Sequence, residues 1–214
     1  MPTYRSEAEA QIRGAVVEHL RQIRPNARII HEINAGSYGN RIDVLAVDVA
    51  EIIAVEIKSA KDKLDRLKDQ IAAMQNVAHL TVAALHEKFL RNDNPNYPNS
   101  FMPPKEANGV ITWAFPRKAR NGHIHCNEAW VSTGWQKPKF NLPPGALMML
   151  WRAELHAICR RHGIAGGNGA TMERAADLIR WNLTGQQITH EICATLRARK
   201  CVEADLEIER SDAA

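Results

Sequence analysis

The chain has 214 residues, of which 45% are hydrophobic and 24% charged, and its formal net charge is +4. This composition is typical of a globular protein and excludes a chain that is disordered throughout. No run approaches about 18 uninterrupted apolar residues, which excludes a transmembrane helix, and the first residues lack the apolar run of a secretory signal. Four cysteines without CxxC spacing favour a reduced, cytoplasmic setting.

Positive charge is concentrated after the first 90 residues. Residues 1–90 carry 12 basic and 12 acidic side chains, whereas residues 91–144 carry 7 basic and 3 acidic, and residues 145–201 carry 8 and 4. The segment after Cys201 reverses the sign, with 1 basic and 5 acidic side chains. A basic middle and rear favour a polyanionic partner, although a solubilising surface explains this modest excess equally well.

Hydrophobic periodicity predicts the element order αβββαβ for the first 86 residues. Ile12, Val16 and Leu20 recur at helical spacing, and the later β-branched runs are typical of strands. The predicted elements are a helix over 6–24, strands over 28–33, 41–47 and 52–58, a helix over 62–77 and a strand over 79–85. Apolar residues on both faces of the strands indicate a sheet that is covered on both sides.

The remainder of the chain is predicted to add a hairpin and three helices. An Asn-Gly pair within Arg120-Asn121-Gly122 lies between apolar runs and predicts a β-hairpin over 110–131. After Pro143-Pro144, helices are expected over 146–162, 171–183 and 185–200. We therefore expect an α/β fold, with a central mixed sheet and an added β-hairpin in residues 1–144 and a helical C-terminal extension in residues 145–214.

Three ionisable residues, Asp43, Glu56 and Lys58, interrupt otherwise apolar strands. Burying such charges costs several kcal/mol each unless they are paired or bind a metal. A turn centred between Val49 and Ala50 gives facing residues of the hairpin a constant number sum of 99, which 43 and 56 satisfy. Asp43 is thus predicted to face Glu56 with Cβ atoms roughly 4.5–5.5 Å apart, and Lys58 to project from the same sheet face as Glu56.

Such a constellation suits hydrolysis of a phosphodiester. Two adjacent carboxylates repel each other unless a cation lies between them, and oxygen ligands favour Mg²⁺ or Mn²⁺ over zinc. A neighbouring ammonium can orient or deprotonate a water, or neutralise the charge that develops on the phosphate. Spacing alone leaves open a buried carboxylate–lysine ion pair, or an edge strand with one wet face.

The sequences RIDV at 41–44 and VEIKS at 55–59, in an αβββαβ order, resemble the PD-(D/E)XK (restriction-endonuclease-like) nuclease superfamily. The similarity covers residues 6–86 and is closest to the DNA-repair and phage-type branch, such as virus-type replication-repair nucleases and Holliday-junction resolvases. The resemblance implies that Asp43, Glu56 and the backbone carbonyl of Ile57 bind Mg²⁺ or Mn²⁺, and that Lys58 is the catalytic lysine. Many members add a glutamate from the first helix as a metal ligand, for which Glu9 is the best match.

Four further residues are candidates for the same site. Only the glutamine of the family's Gln-x-x-x-Tyr motif is present, because Gln70 is followed by Met74. Arg66 and Gln70, one helical turn apart, are predicted either to contact substrate phosphate or the carboxylates, or to form a polar surface pair. Arg41 is a candidate phosphate contact, and Glu32 a candidate accessory metal ligand.

The C-terminal extension allows two interpretations. Residues 154–183 predict a helix, a Gly-rich loop and a helix, which is weakly similar to SAP-type DNA-binding modules; packing of these helices on the core is the alternative. Trp113, Trp130, Trp135 and Trp151 could stack on bases, although tryptophans in such positions more often belong to a core.

The sequence as a whole thus predicts a Mg²⁺-dependent deoxyribonuclease that hydrolyses DNA with an activated water, in DNA repair, restriction or phage DNA processing. RNA is not excluded as a substrate, a homodimer is one expected form, and no membrane partner is expected. A protein of the same fold that binds nucleic acid or supports assembly without cleavage is the alternative.

Overall fold

The computed structural model describes residues 6–36, 39–91, 96, 102–115, 131–133 and 136–209. Its helices and strands, in chain order, are α1 (Glu7–Ile23), β1 (Arg28–Asn34), β2 (Arg41–Val47), β3 (Ile52–Lys58), α2 (Leu67–Gln75), β4 (Leu80–His86), β5 (Ile111–Phe115), β6 (Val131–Thr133), α3 (Arg152–Arg161), α4 (Met172–Asn182) and α5 (Gly185–Ala198). None of the helices in the described part of the chain is long and apolar enough to cross a membrane.

The strands form one six-stranded mixed sheet in the order β1-β2-β3-β4-β5-β6. Neighbouring strands run antiparallel from β1 to β3, parallel from β3 through β4 to β5, and antiparallel between β5 and β6. Helix α2 provides the crossover between the parallel strands β3 and β4. The predicted α/β class, the mixed sheet and the order α-β-β-β-α-β are therefore confirmed.

The two strands described near the predicted hairpin over 110–131, β5 and β6, are antiparallel neighbours within the central sheet. β5 pairs in parallel with β4, and β6 pairs antiparallel with β5, so both strands continue the central sheet. The predicted turn at residues 120–122 lies outside the described residues.

Two predicted helix starts are too early. The backbone N–H and Oγ of Ser59 both donate to Asp62 Oδ2 at 2.7 Å, and this local turn delays α2 to Leu67. The predicted helix at 146 begins as a 3₁₀ turn, Pro144–Met149, and α3 begins only after Trp151, whose backbone N–H donates to Glu154 Oε2 at 2.7 Å.

Helix α1 covers one face of the sheet. Ser6 Oγ accepts the backbone N–H of Glu9 at 3.2 Å and caps the helix, and Ile12, Val16 and Leu20 are buried. These side chains form one apolar cluster with residues of β1 to β5. Because one turn of α1 precedes this stripe, the side chain of Glu9 lies where the helix meets the sheet.

The opposite face of the sheet is covered by α2 and by the C-terminal helices together. One cluster contains Leu45 of β2, Ile71 of α2, Ile158 of α3, Ile179 of α4 and Ile192 of α5. Helices α3, α4 and α5 therefore share the core of the sheet, which confirms that both faces are covered.

The end of the chain is attached to the edge strand β1. Glu203 accepts the backbone N–H of His31 at 2.8 Å through its carbonyl, and the N–H of Asp205 donates to the carbonyl of Ile29 at 2.9 Å. Arg28 is fully buried, and its guanidinium donates to the carbonyl of Asp205 and to three carbonyls at the end of α5. The segment 203–205 therefore covers the free edge of β1.

A buried histidine links β3 to the start of β4 and makes stability pH-dependent. His79 is 3% exposed, and its Nδ1 accepts the backbone N–H of Ile52 at 3.0 Å. Burial lowers the pKa of His79 below 6.5, so the unfolded chain binds this proton more readily, and stability is lost as the pH falls below about 6.5. We expect His79→Asn, which keeps an acceptor without titrating, to reduce the fall in unfolding free energy between pH 7 and 5 by about 1 kcal/mol in urea titrations.

His190→Asn on the exposed side of α5 is the matched control and should keep the wild-type slope. Parallel pH profiles for wild type and His79→Asn would contradict the assignment.

Candidate active site

The site begins where the ladder between β2 and β3 stops. The paired residues keep the predicted constant sum, and the register runs to Val44 opposite Val55. One step further, Asp43 Oδ2 accepts the backbone N–H of Ile57 at 2.7 Å. The predicted register is therefore confirmed, but the carboxyl group of Asp43 binds the backbone of β3 instead of standing over Glu56 in a regular ladder pair.

Glu56 is the centre of a buried polar cluster. Its side chain is almost fully buried, and its Oε1 accepts Lys58 Nζ at 2.7 Å and also Gln70 Nε2. Lys58 Nζ donates in turn to Gln70 Oε1 at 2.9 Å, which closes a triangle of three side chains. Glu56 Oε2 is buried and has no hydrogen-bond partner among the described residues. One carboxylate oxygen is therefore oriented by donors, and the other can accept a ligand.

The carboxyl groups of Asp43 and Glu56 are desolvated next to each other. Burial and the neighbouring carboxyl group of Asp43 raise the pKa of Glu56 from 4.5 to about 8, against the lowering effect of Lys58. Burial also raises the pKa of Asp43, opposed by the hydrogen bond from Ile57 and by the charge of Arg13. The pair is thus poorly suited to carry two negative charges without a cation.

Arg13 is a member of the site that the sequence analysis missed. Its buried guanidinium donates from Nη2 to Glu9 Oε1 at 2.9 Å and to Glu32 Oε1 at 2.7 Å, and from Nη1 to the carbonyl of Asp43 at 2.7 Å. It joins α1, β1 and β2 at one point. The available signal was its place on α1 beside Ile12 and four residues after Glu9, which puts an arginine against the sheet.

Glu32 lies level with Asp43 and Glu56 in the sheet, but its carboxylate pairs with two arginines. The register on either side of it places Glu32 opposite Asp43, so that carboxylates occupy one row across β1, β2 and β3. Its φ of 56° is left-handed, which costs a non-glycine residue roughly 1–3 kcal/mol. Its side chain pairs with Arg13, and also with Arg41 at 2.6 Å. Both cations hold Glu32 away from the role of a free metal ligand.

A cavity of about 500 Å³ contains the predicted site. Asp62, Lys63 and Asp65, which no sequence pattern indicated, also line it. The predicted residues that line it are Glu9, Arg41, Asp43, Glu56, Ile57, Lys58, Arg66 and Gln70. Glu32 lines a neighbouring groove. The chain therefore brings together every predicted site residue except Glu32 around one cavity.

The site fits a metal that takes two carboxylate ligands from the protein. Among the described residues, no group of three or more His, Cys, Asp or Glu side chains is arranged to hold a metal ion. The expected third ligand, Glu9, has one oxygen bound to Arg13. Asp43 and Glu56, whose Oε2 has no described partner, therefore remain as candidate metal ligands. Mg²⁺ commonly binds through one or two carboxylates, and water and phosphate complete its coordination shell.

The basic residues of the helix–loop–helix are partly used within the protein. Arg161 pairs with Glu191 at 2.5 Å, and His162 Nε2 lies 2.9 Å from the other oxygen of Glu191. Arg160 and Arg174 are exposed. The apolar faces of α3 and α4 pack into the core, so the packing interpretation is confirmed, and contact with DNA stays a prediction.

The effect of the raised pKa of Glu56 on stability can be measured without substrate. The folded protein holds this proton up to about pH 8, whereas the unfolded chain releases it near pH 4.5, so the unfolding free energy falls as the pH rises between these values. In EDTA, we expect Glu56→Gln to reduce this fall by about 1–3 kcal/mol, measured by urea denaturation from pH 5 to 8. Glu18→Gln, on the exposed face of α1, should keep the wild-type slope, and an unchanged slope in Glu56→Gln would refute the burial argument.

The part of the chain that contains the site is similar to a known protein family. Residues 3–95 match a protein family described as Bacteriophage P4 protein cII. The matched segment contains α1, β1 to β4 and α2, and thus all residues that line the 500 Å³ cavity. No curated protein and no solved structure matches the chain. Over less than half of its length, the chain is therefore similar to this phage protein family.

Proposed function

We propose that the chain is a metal-dependent nuclease of the PD-(D/E)XK type that hydrolyses phosphodiester bonds in DNA. One observation carries the proposal: the buried Glu56 has Lys58 and Gln70 on one oxygen, no described partner on the other, and Asp43 beside it. A structural ion pair would satisfy both carboxylate oxygens, because a bare buried acceptor costs about 1–3 kcal/mol.

In this proposal the carboxylates of Asp43 and Glu56 would hold Mg²⁺ or Mn²⁺, together with the backbone carbonyl of Ile57. When bound, the metal supplies Lewis-acid activation of water and phosphate. Lys58 stabilises the charge that develops on the phosphate or orients the water, and its ammonium is already held by Glu56 and Gln70. Gln70 positions both of these charged groups.

The cations around the cavity fit a polyanionic substrate. Arg41, Lys63 and Arg66 line the cavity together with Lys58, and such side chains contact the phosphates of a nucleic-acid backbone. Arg13 acts by positioning: it holds Glu9 and the backbone of Asp43 in place from inside the protein. The similarity to a phage protein family supports a phage-related role.

A non-cleaving protein that binds nucleic acid or supports assembly is the second candidate. The engagement of Glu9 and Glu32 by Arg13 favours it, because the cavity then offers fewer free carboxylates than a site with three ligands. The two candidates differ in whether a divalent ion binds at Asp43 and Glu56 and whether DNA is cut.

Substitution of the lysine separates catalysis from binding. We expect Lys58→Ala to lower Mg²⁺-dependent cleavage of linear, circular and branched DNA by about 100-fold or more, because a charge-stabilising donor is removed. Lys61→Ala, an exposed neighbour outside the cavity, should cut at the wild-type rate. Cleavage by Lys58→Ala at the wild-type rate, or undiminished cleavage in EDTA, would refute the proposed role.

Metal binding can be measured separately from cleavage. We expect millimolar Mn²⁺ to raise the melting temperature of the wild-type protein and of Lys58→Ala, because the ion neutralises the Asp43–Glu56 pair in the folded state only. Asp43→Asn and Glu56→Gln should lose this increase in differential scanning fluorimetry. Equal shifts in all four proteins would place the ion elsewhere.

A further inference from the structure

A second concave surface adjoins the candidate active site. It is a groove of about 920 Å³, and Glu9 and Arg41 line both the groove and the cavity that contains Asp43 and Glu56. One wall is formed by residues 30–34 of β1, and the other by segments 148–151 and 199–203. A strand lying in this groove would therefore lead directly into the cavity.

Trp151 presents a fixed aromatic surface to the groove. Its side chain is 58% exposed, and the Arg199 guanidinium lies over its ring at 4.6 Å from the centroid. Arg199 is itself buried, and it donates to Glu154 Oε1 at 2.8 Å and to the carbonyl of Met149 at 3.0 Å. The indole is thus supported through a buried arginine, although more than half of its surface meets solvent.

The lining of the groove combines apolar groups with charges of both signs. Met148 and Met172 supply thioethers to the lining, Lys200 is an exposed cation, and Arg41 is a half-exposed cation that also pairs with Glu32. The carboxylates at the inner end of the groove, Glu9 and Glu32, are paired with Arg13, while Glu203 lies on the outer wall.

An exposed aromatic ring close to cations is a feature by which proteins bind single strands, because bases stack on the ring and phosphates contact the cations. In a duplex the faces of the bases are already stacked and cannot reach an indole at the surface.

We propose that this groove binds an unpaired DNA strand, with a base stacked on Trp151, and that it delivers single-stranded or frayed DNA to the adjoining cavity. The delivery rests on the proposed nuclease function, whereas the binding does not. The substrate class that follows is DNA with an unpaired segment next to the cleaved bond.

Binding is tested in a Lys58→Ala background, so that no cleavage is needed. Fluorescence anisotropy of a labelled single-stranded oligodeoxynucleotide is measured for Trp151→Ala and Trp151→Phe. Trp181→Ala is the matched control, because Trp181 is 86% exposed on α4 and lines none of the described cavities. Trp151→Ala should weaken binding of the single strand about tenfold, and Trp151→Phe should keep most of the affinity. Trp181→Ala should bind the single strand as tightly as the Lys58→Ala protein that keeps both tryptophans. A duplex of the same sequence should bind equally to all three.

Circular dichroism and melting temperature confirm that the variants are folded, as expected for an exposed side chain. Unchanged binding of the single strand by folded Trp151→Ala overturns the proposal, as does an equal loss with duplex DNA or a loss with single-stranded RNA alone. Loss of single-strand binding in Trp151→Ala, together with no cleavage of DNA by the protein that retains Lys58, would retain the groove and refute the nuclease. Normal cleavage with unchanged binding would do the reverse.

Discussion

The burial of Glu56 beside Asp43 is the constraint on which the rest of the site depends. A sheet covered by helices on both faces leaves little water for charged groups on its central strands, so each carboxylate there needs a specific partner. Lys58 and Gln70 satisfy one oxygen of Glu56, and the Ile57 N–H satisfies one oxygen of Asp43. The residual repulsion between the two carboxyl groups is what makes the cavity attractive to a cation.

The local part of this arrangement follows from the sequence. The number of residues between β2 and β3 sets the register, and β-branched runs set the strands, so the approach of Asp43 to Glu56 is predictable. The late start of α2 depends on one side-chain contact between Ser59 and Asp62, which competes with the helical pattern. Such short-range competition is visible in a sequence only once the turn is known.

The long-range part could not be predicted in the same way. Arg13 contacts Glu32 and Asp43, which lie 19 and 30 residues away in the sequence. Arg28 donates to the carbonyl of Leu196, which lies 168 residues away. Periodicity describes which face of an element is apolar, but it does not say which charged side chains meet at the ends of packed elements. The left-handed backbone of Glu32 is likewise a product of these tertiary contacts.

The attachment of segment 203–205 to β1 also affects how copies of the protein can meet. An uncovered edge strand offers a row of free N–H and C=O groups that can recruit a strand of another molecule. Here residues 203–205, held by the buried Arg28, occupy the edge of β1 alongside residues 29–31, where an incoming strand would have to pair. Strand addition over residues 29–31 would first require residues 203–205 to detach, so this short segment lowers the tendency of β1 to recruit a strand from a second copy.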